Sequence, residues 1–212
     1  RKSLGIYSDV SVQGDVNELI NEVVEKFGKI DILVNNAGSR PGKDRVLVVD
    51  LEEEALDLVM RVNVKGTFLC SQAVVKQMIA QKSGGKIVVI SSGAGKKGIA
   101  KYAAYCASKF ALIGFTQSLA KEVGEYGINV NAICPGLVDT ERVDFIAAAL
   151  ANSAESGAEY RAEMIQERST VVPLGRVAQG EDIANTAAFL CSDQSDYLTG
   201  LSISVSGGSE MS

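Results

Sequence analysis

"KIVVISSGAGKKGIAKYAAYCASKFALIGF", residues Lys86–Phe115, contains the two structural units that decide the fold. Its first six residues, Lys86–Ser91, form a short apolar run that is typical of a parallel strand buried on both faces. A longer helical pattern then extends from about Tyr102 to Tyr126. A buried strand followed by a long helix is the repeating unit of a parallel α/β sheet.

The same alternation recurs along the rest of the chain. Apolar runs predict further strands at Leu4–Tyr7, Ile30–Asn35, Ile128–Cys134 and Leu201–Ser206. Helical patterns run from Val16 to Phe27, from about Glu53 to Met78 and from about Gly180 to Ser192. We therefore predict a single α/β domain over residues 1–212, a Rossmann-type doubly wound parallel sheet with helices on both faces.

One segment, Asp139–Arg176, departs from this alternation. It is alanine-rich and charged, contains no predicted strand, and has candidate short helices at Val143–Leu150 and Ala158–Arg168. Loops that follow strand carboxyl ends border the ligand crevice of such sheets. We expect residues 139–176 to form a substrate lid, and the alternative is a surface insertion that only packs.

Composition narrows the class of partner and the compartment. The chain has 21 Lys and Arg against 26 Asp and Glu, a net charge of −5, which argues weakly against nucleic acid or an anionic membrane as partner. No apolar run approaches the roughly 20 residues of a membrane span. The four cysteines contain no CxxC pair, which favours reduced core thiols in a cytoplasmic protein.

The chain contains no histidine. This excludes a Ser-His-Asp or Cys-His mechanism carried by this chain alone, and it removes the usual zinc ligand, so we expect no metal site. Any proton transfer must use Tyr, Lys, Asp, Glu or Cys.

Tyr105 and Lys109 are spaced i and i+4, which places both side chains on one face of the predicted helix. A phenol is a poor acid–base group at neutral pH, but a neighbouring ammonium favours the phenolate. Tyr102 has no such lysine. The alternative interpretation is a packed tyrosine beside a lysine that extends to solvent.

Polar residues follow the predicted strands at the carboxyl edge, where ligands bind in such sheets. Ser92 ends "KIVVISS" thirteen residues before Tyr105 and could hydrogen-bond a substrate oxygen, although a turn serine is the alternative. "NNAG" and "CPGLVDT" end two other strands, at Asn35–Gly38 and Cys134–Thr140. Asn63 lies inside a predicted helix, where Asn is unfavourable, and either binds something or only steadies the main chain.

No glycine-rich phosphate-binding turn lies between the first predicted strand and the first predicted helix. In a dinucleotide-binding sheet, that turn belongs to an opening βαβ unit of roughly 30 residues. We expect that this N-terminal βαβ portion is missing from the sequence. The alternative is a chain that never bound a dinucleotide.

Taken in order, these motifs resemble the classical short-chain dehydrogenase/reductase family, and in particular its 3-oxoacyl-acyl-carrier-protein reductase and polyol dehydrogenase members. The resemblance covers nearly the whole chain. It runs through "DV" at Asp9–Val10, "NNAG", Asn63, "ISS", "YCASK" at Tyr105–Lys109, "PGLVDT" at Pro135–Thr140, "PLGR" at Pro173–Arg176 and "YLTG" at Tyr197–Gly200. The family often has an acid where Ser206 stands.

This resemblance implies an NAD(P)-dependent oxidoreductase acting on a secondary alcohol or ketone. It implies Tyr105 as general acid or base, Ser92 as the group that polarises the carbonyl, Lys109 as the residue that favours the phenolate and holds the nicotinamide ribose, and Asn63 as the holder of a relay water. It implies further cofactor contacts in three groups: Asp9 and Val10 at the adenine, Asn35, Ala37 and Gly38 at the adenosine ribose, and Pro135, Gly136, Val138 and Thr140 at the nicotinamide.

The resemblance also implies a homo-oligomer, most often a tetramer, built through the helices around Glu53–Met78 and Tyr102–Tyr126. The alternative function is a catalytically silent dinucleotide-sensing or scaffold protein, although such relatives typically lose the tyrosine or lysine. A sugar epimerase or dehydratase would need a larger C-terminal domain. The choice between NAD(H) and NADP(H), and the identity of the substrate, stay open.

Overall fold

A computed structural model describes residues 2–151 and 157–211 of the chain. Its sheet has four parallel strands in the order β1-β2-β3-β4, and these are β1 Ile32–Asn35, β2 Gly85–Ile90, β3 Ile128–Pro135 and β4 Ser202–Val205. All four carboxyl ends therefore lie at one edge of the sheet.

Seven α-helices surround this sheet in the described residues. They are α1 Gln13–Phe27, α2 Glu53–Met60, α3 Gly66–Gln81, α4 Ala103–Val123, α5 Glu141–Leu150, α6 Gly157–Val171 and α7 Gly180–Leu190. Short 3-10 turns occupy Val48–Asp50, Gly93–Gly95, Gly124–Tyr126 and Asp193–Ser195. None of these helices is both long and apolar enough to cross a lipid bilayer.

Strand β2 shows why the sheet needs helices on both sides. Alternate side chains of a strand point to opposite faces, and here both sets are apolar. Ile87 and Val89 pack in one cluster with residues of α3 and α4, whereas Val88 packs in another with Ile133 of β3 and Leu190 of α7. The doubly wound α/β arrangement predicted from the sequence is confirmed.

The predicted strand at Leu4–Tyr7 is wrong. These residues form no strand and pair with no other segment in the described structure. Leu4 is 39% exposed and Tyr7 is fully exposed, so the apolar run is not buried against the sheet. An apolar run becomes a strand only where a neighbouring backbone completes its hydrogen bonds.

The long helix predicted from Glu53 to Met78 is interrupted. Between α2 and α3, residues Arg61–Lys65 form one π-helical turn, in which the hydrogen-bonding pattern lengthens by one residue. Asn63 lies in the middle of this turn and is fully buried. The π turn explains how a poor helix former is accommodated inside an otherwise apolar helix.

Helices α5 and α6 fall in the segment predicted as a lid, close to the candidate helices read from the sequence. Arg161 of α6 pairs with Asp144 of α5 and with Asp139 of the preceding loop, each at 2.5 Å. These ion pairs join the two helices to the loop that follows β3. Residues 152–156 of the predicted lid lie outside the described residues.

Candidate active site

The predicted catalytic residues meet where β2 ends and α4 begins. Because the strands are parallel, the segments after β1, β2 and β3 emerge at the same edge of the sheet. The first turns of α4 pack against the turn that follows β2. This packing brings Ser92, Tyr105 and Lys109 to one region.

Lys109 is the most unusual group in this region. It is only 6% exposed, and its Nζ donates a hydrogen bond to the main-chain oxygen of Ile90 at 2.8 Å, at the end of β2. Burial, and to a smaller extent the positive charge of Arg142, lower the pKa of Lys109 to about 8. Lys109 therefore remains mostly protonated at neutral pH, with a charge held inside the protein.

Tyr105 lies beside this charge and is partly exposed. The Lys109 Nζ is 5.6 Å from the centroid of the Tyr105 ring. Tyr102 contacts Tyr105 edge to face, with ring centroids 6.4 Å apart, and burial raises the pKa of Tyr102. A phenol with a raised pKa gives up its proton less readily, which disfavours Tyr102 as a proton carrier.

Ser91 and Ser92 have different surroundings. The Ser91 hydroxyl donates to the main-chain oxygen of Lys109 at 2.9 Å and so fastens β2 to α4. The Ser92 oxygen accepts the N–H of Ala94 at 3.1 Å, which leaves its own proton available for another acceptor. Ser91 is thus a structural serine, and Ser92 can still donate to a substrate oxygen.

Asn63 connects three parts of the site. Its Oδ1 accepts the main-chain N–H of Ser39 at 2.7 Å, in the loop after β1. Its Nδ2 donates to the Ser108 hydroxyl at 2.9 Å, and Ser108 donates to the main-chain oxygen of Tyr105 at 2.8 Å. The side chain therefore fixes the loop after β1 against the first turns of α4, where Tyr105 lies.

Gly93–Gly98 has the spacing GxGxxG, but its first two glycines serve close packing. A Cβ at Gly95 would lie 2.7 Å from the main-chain oxygen of Lys109, and one at Gly93 would overlap the Glu210 carboxylate. Both glycines are buried. This turn brings the chain after β2 into contact with α4, which sets the position of Lys109.

Asp9 and Val10, the predicted adenine contacts, precede α1. The Asp9 carboxylate accepts the N–H of Ser11 at 2.9 Å, which holds the pKa of Asp9 below its usual range. Val10 packs against α3 so closely that a Cβ at Gly66 would lie 2.8 Å from its methyl group. Asp9 and Val10 are thus held next to α3, on the side of β1.

The predicted adenosine-ribose contacts follow β1. Asn35 is buried, and one N–H of its side-chain amide donates to the Ser71 hydroxyl at 3.0 Å. Ala37 and Gly38 are exposed at the sheet edge and present main chain with little or no side chain. They leave room for a ligand to approach the backbone.

The predicted nicotinamide contacts follow β3. Gly136 donates its N–H to Val205 of β4 at 3.0 Å, and a bridge between Val138 and Ala178 continues the parallel pairing. Thr140 precedes α5, but its side chain makes no capping hydrogen bond to the helix. The Thr140 hydroxyl is therefore not required by the helix start. Pro135, the last residue of β3, is buried.

Two features of the site were not predicted from the sequence. Arg45 and Asp44, in the loop between β1 and α2, form a buried ion pair, and the Arg45 guanidinium stacks over the rings of Tyr102 and Tyr105 at 4.3 and 4.6 Å. Adjacent opposite charges in a loop normally indicate solvent exposure, so no sequence signal marked Arg45. Ser108 is the fourth residue of "YCASK", where a small residue is expected only to pack against its neighbours.

Within the described residues, no group of three or more cysteine, aspartate or glutamate side chains is arranged to hold a metal ion. All four cysteines are free thiols.

Comparison with known proteins identifies the family of this chain. The chain matches, over residues 1–210, the short-chain dehydrogenase profile described as enoyl-(acyl carrier protein) reductase. It is 39% identical over 208 residues to a short-chain dehydrogenase/reductase of Armillaria gallica, covering 98% of this chain and 76% of that protein. The chain belongs to the short-chain dehydrogenase/reductase family.

Other relatives of this short-chain dehydrogenase/reductase act on different compounds. It is 38% identical to the sorbitol dehydrogenase of Cereibacter sphaeroides, over 96% of this chain and 77% of that protein. It is 39% identical to the 3-oxoacyl-[acyl-carrier-protein] reductase FabG of Staphylococcus aureus, over 99% of this chain and 78% of that protein. The resemblance to reductases and polyol dehydrogenases inferred from the motifs is confirmed.

Solved structures of the family share the fold. Levodione reductase superimposes with a TM-score of 0.88 at 33% identity, over 97% of this chain and 76% of that one. NAD+-bound xylitol dehydrogenase gives a TM-score of 0.83 at 34% identity, over 96% of this chain and 78% of that one. This short-chain dehydrogenase/reductase is therefore an oxidoreductase of alcohol and ketone groups, which disfavours a silent scaffold.

Proposed function

We propose that the site at the ends of β2 and α4 interconverts a secondary alcohol and its ketone, with Tyr105 as the general acid and base. The observation that carries this proposal is the buried ammonium of Lys109, 5.6 Å from the Tyr105 ring. Burial of a charge without a charged partner is costly, so a buried ammonium that the fold retains indicates a function. Its use here is to stabilise the phenolate that forms when Tyr105 gives up its proton.

The residues at the sheet edge fit a nicotinamide dinucleotide. Exposed backbone at Ala37 and Gly38, the uncommitted hydroxyl of Thr140, and the two unused donors of Lys109 are suited to ribose and carboxamide groups. NAD(H) or NADP(H), when bound, supplies or accepts the hydride. We propose that this chain holds it through Asp9 and Val10 at the adenine, Asn35, Ala37 and Gly38 at the adenosine ribose, Tyr105 and Lys109 at the nicotinamide ribose, and Pro135, Gly136, Val138 and Thr140 at the nicotinamide.

In the reductive direction, the Tyr105 hydroxyl gives a proton to the carbonyl oxygen of the substrate. Ser92 donates a hydrogen bond to the same oxygen and stabilises the negative charge that develops there. In the oxidative direction, the phenolate of Tyr105 takes the proton back. Asn63 acts as a positioning residue in this scheme, because its bonds to Ser39 and Ser108 hold the first turns of α4.

The remaining inferences concern the setting of the site. We propose that residues 139–176 cover the bound substrate, because Arg161 fastens α5 and α6 to the loop after β3. We also propose a cytoplasmic homotetramer. Apolar side chains that a second copy could cover are Leu58, Phe68 and Phe110, on α2, α3 and α4, each between 43% and 47% exposed.

The test compares two tyrosine variants against a panel of secondary alcohols and ketones with both cofactors. We expect Tyr105→Phe to lower kcat by at least about 100-fold while circular dichroism and Tm stay close to wild type. Tyr102→Phe serves as the matched control and should lose far less activity. Wild-type rates in Tyr105→Phe, or equal losses in both variants, would show that Tyr105 is not the proton carrier.

A further inference from the structure

Three positive charges surround the ring of the proposed proton carrier. The distances to the Tyr105 centroid are 4.6 Å from the Arg45 guanidinium, 5.4 Å from the Arg142 guanidinium and 5.6 Å from the Lys109 ammonium. A proton carrier needs one such neighbour to stabilise its phenolate. The other two require an explanation of their own.

Arg45 is already neutralised. Its guanidinium is buried with the Asp44 carboxylate as its partner. Its stacking on Tyr102 and Tyr105 therefore contributes rigid packing more than net charge. Arg45 shapes the wall of the site.

Within the part of the chain that the structure describes, Arg142 has no carboxylate partner of this kind. Its Nη1 donates to the main-chain oxygen of Ser39 at 2.9 Å, which is a neutral acceptor. Of the three carboxylates nearest to it along the chain, Asp139 and Asp144 are paired with Arg161, and Glu141 is exposed and appears in none of the ion pairs of the described residues. Among the ion pairs formed by the described residues, none contains Arg142 or Lys109. The surroundings of Tyr105 therefore carry an excess of positive charge.

A further cation lies on the same side of the site. Arg40, in the loop after β1, is exposed, and its guanidinium stacks on the Phe145 ring of α5 at 4.2 Å. The charge of Arg142 also reaches Lys109, whose pKa it helps to lower. Repulsion of this kind is relieved when an anion enters.

We propose that the substrate of this site carries an anionic group, a carboxylate or a phosphate, which binds Arg142 within a few bonds of the reacting carbon, with Arg40 next to it. The proposal rests on the alcohol–ketone function proposed above. In reduction the ketone carbon gains a hydride from reduced nicotinamide and the oxygen gains a proton from Tyr105. The products are a hydroxy acid or hydroxy phosphate and the oxidised cofactor. A planar guanidinium binds either group through two parallel hydrogen bonds.

Matched pairs of charged and neutral ketones test the proposal. The pairs are acetoacetate with methyl acetoacetate, and dihydroxyacetone phosphate with dihydroxyacetone. In wild type we expect at least one anion to have a KM about 10- to 100-fold below that of its neutral partner, the range expected for one charge-assisted contact. The pair that shows the larger ratio distinguishes a carboxylate from a phosphate ester.

Variants of Arg142 assign the preference to its charge. Arg142→Gln should raise the KM of the preferred anion about 10- to 100-fold and change that of the neutral partner less than about threefold. Arg142→Lys should keep most of the preference. Lys121→Gln is the charge control, because Lys121 is exposed and lies sixteen residues along α4 from Tyr105, about 24 Å away. It should leave both KM values unchanged.

Calorimetry separates failure of this inference from failure of the proposed function. Acetoacetate and dihydroxyacetone phosphate are titrated against wild type and Arg142→Gln with NAD+ or NADP+ present. Turnover of neutral ketones without any preference for anions, and without an effect of Arg142→Gln, would overturn the inference and leave the function standing. Absence of turnover with every ketone would overturn the function. In that case, binding of acetoacetate or dihydroxyacetone phosphate that is tighter in wild type than in Arg142→Gln would still support the inference.

Discussion

Lys109 holds its charge at a position where removal from water disfavours the charged form. Its ordinary pKa is 10.5, and in the folded protein it is about 8. Between these values the unfolded chain binds a proton that the folded chain does not. Stability must therefore rise with pH across that window, and below pH 8 the whole cost of the buried charge is present.

Replacement by a side chain that cannot titrate makes this cost measurable. We expect wild type to gain on the order of 2 kcal/mol in free energy of unfolding relative to Lys109→Met between pH 7 and pH 10. Urea denaturation of both proteins across this range measures the difference, and titrating groups that do not interact with Lys109 cancel. A difference that does not change with pH would mean that the pKa of Lys109 is not lowered.

Whereas the charge of Lys109 lowers stability, the side chain of Asn63 contributes to it, because it hydrogen-bonds two buried polar groups. In Asn63→Ala, the buried N–H of Ser39 and the Ser108 hydroxyl each lose a partner. We expect a loss of about 2–4 kcal/mol in free energy of unfolding, together with a lower kcat, since α4 is no longer fixed. Asn17→Ala, at an exposed position of α1, is the matched control and should change neither quantity appreciably.

At the scale of elements, the contact of the turn after β2 with α4 depends on a residue without a side chain. A methyl group at position 95 would meet the main chain of Lys109 at 2.7 Å. That atom belongs to a helix and cannot move by itself. The turn or the helix must shift instead.

Gly95→Ala should therefore lower the free energy of unfolding by about 1–3 kcal/mol and reduce kcat, because the displacement acts on Lys109. Gly98→Ala is a control in the same loop, since a Cβ there meets nothing within 4 Å. Urea denaturation and steady-state kinetics of both variants provide the comparison. Equal behaviour of the two alanine variants would show that the approach at Gly95 is not tight.

Elements with a strong local pattern could be predicted from the sequence. The strand Lys86–Ser91 depends on a continuous apolar run and the Tyr105–Lys109 pair on a spacing of four residues, and the chain displays both directly. The π turn around Asn63 could not be predicted, because its partners lie 24 and 45 residues away. Arg45 was missed since its burial depends on the two tyrosine rings that cover it. Leu4–Tyr7 was mispredicted because an apolar run does not indicate whether a neighbouring strand is present.

At the scale of the whole molecule, the exposed phenylalanines on α3 and α4 bear on assembly. Phe68 of α3 contacts Phe115 of α4 edge to face, and Phe110 lies five residues before Phe115 in α4 with 47% of its surface exposed. Large apolar side chains that are exposed on neighbouring helices favour burial against another chain. A symmetric contact would place this surface of one copy on the same surface of another.

We expect light scattering after size exclusion to give about four times 22.3 kDa for this chain, the mass of the proposed homotetramer. Phe110→Glu should reduce that mass. In a symmetric contact the introduced carboxylates of two copies would be buried in apolar surroundings and would repel each other. Phe27→Glu is the control, as Phe27 is 40% exposed at the end of α1, on a different helix. If Phe110→Glu keeps the wild-type mass while Phe27→Glu lowers it, the proposed interface is on the wrong helices. Because Tyr105 and Phe110 share α4, a dissociated Phe110→Glu enzyme that keeps its kcat would show that the site does not need assembly.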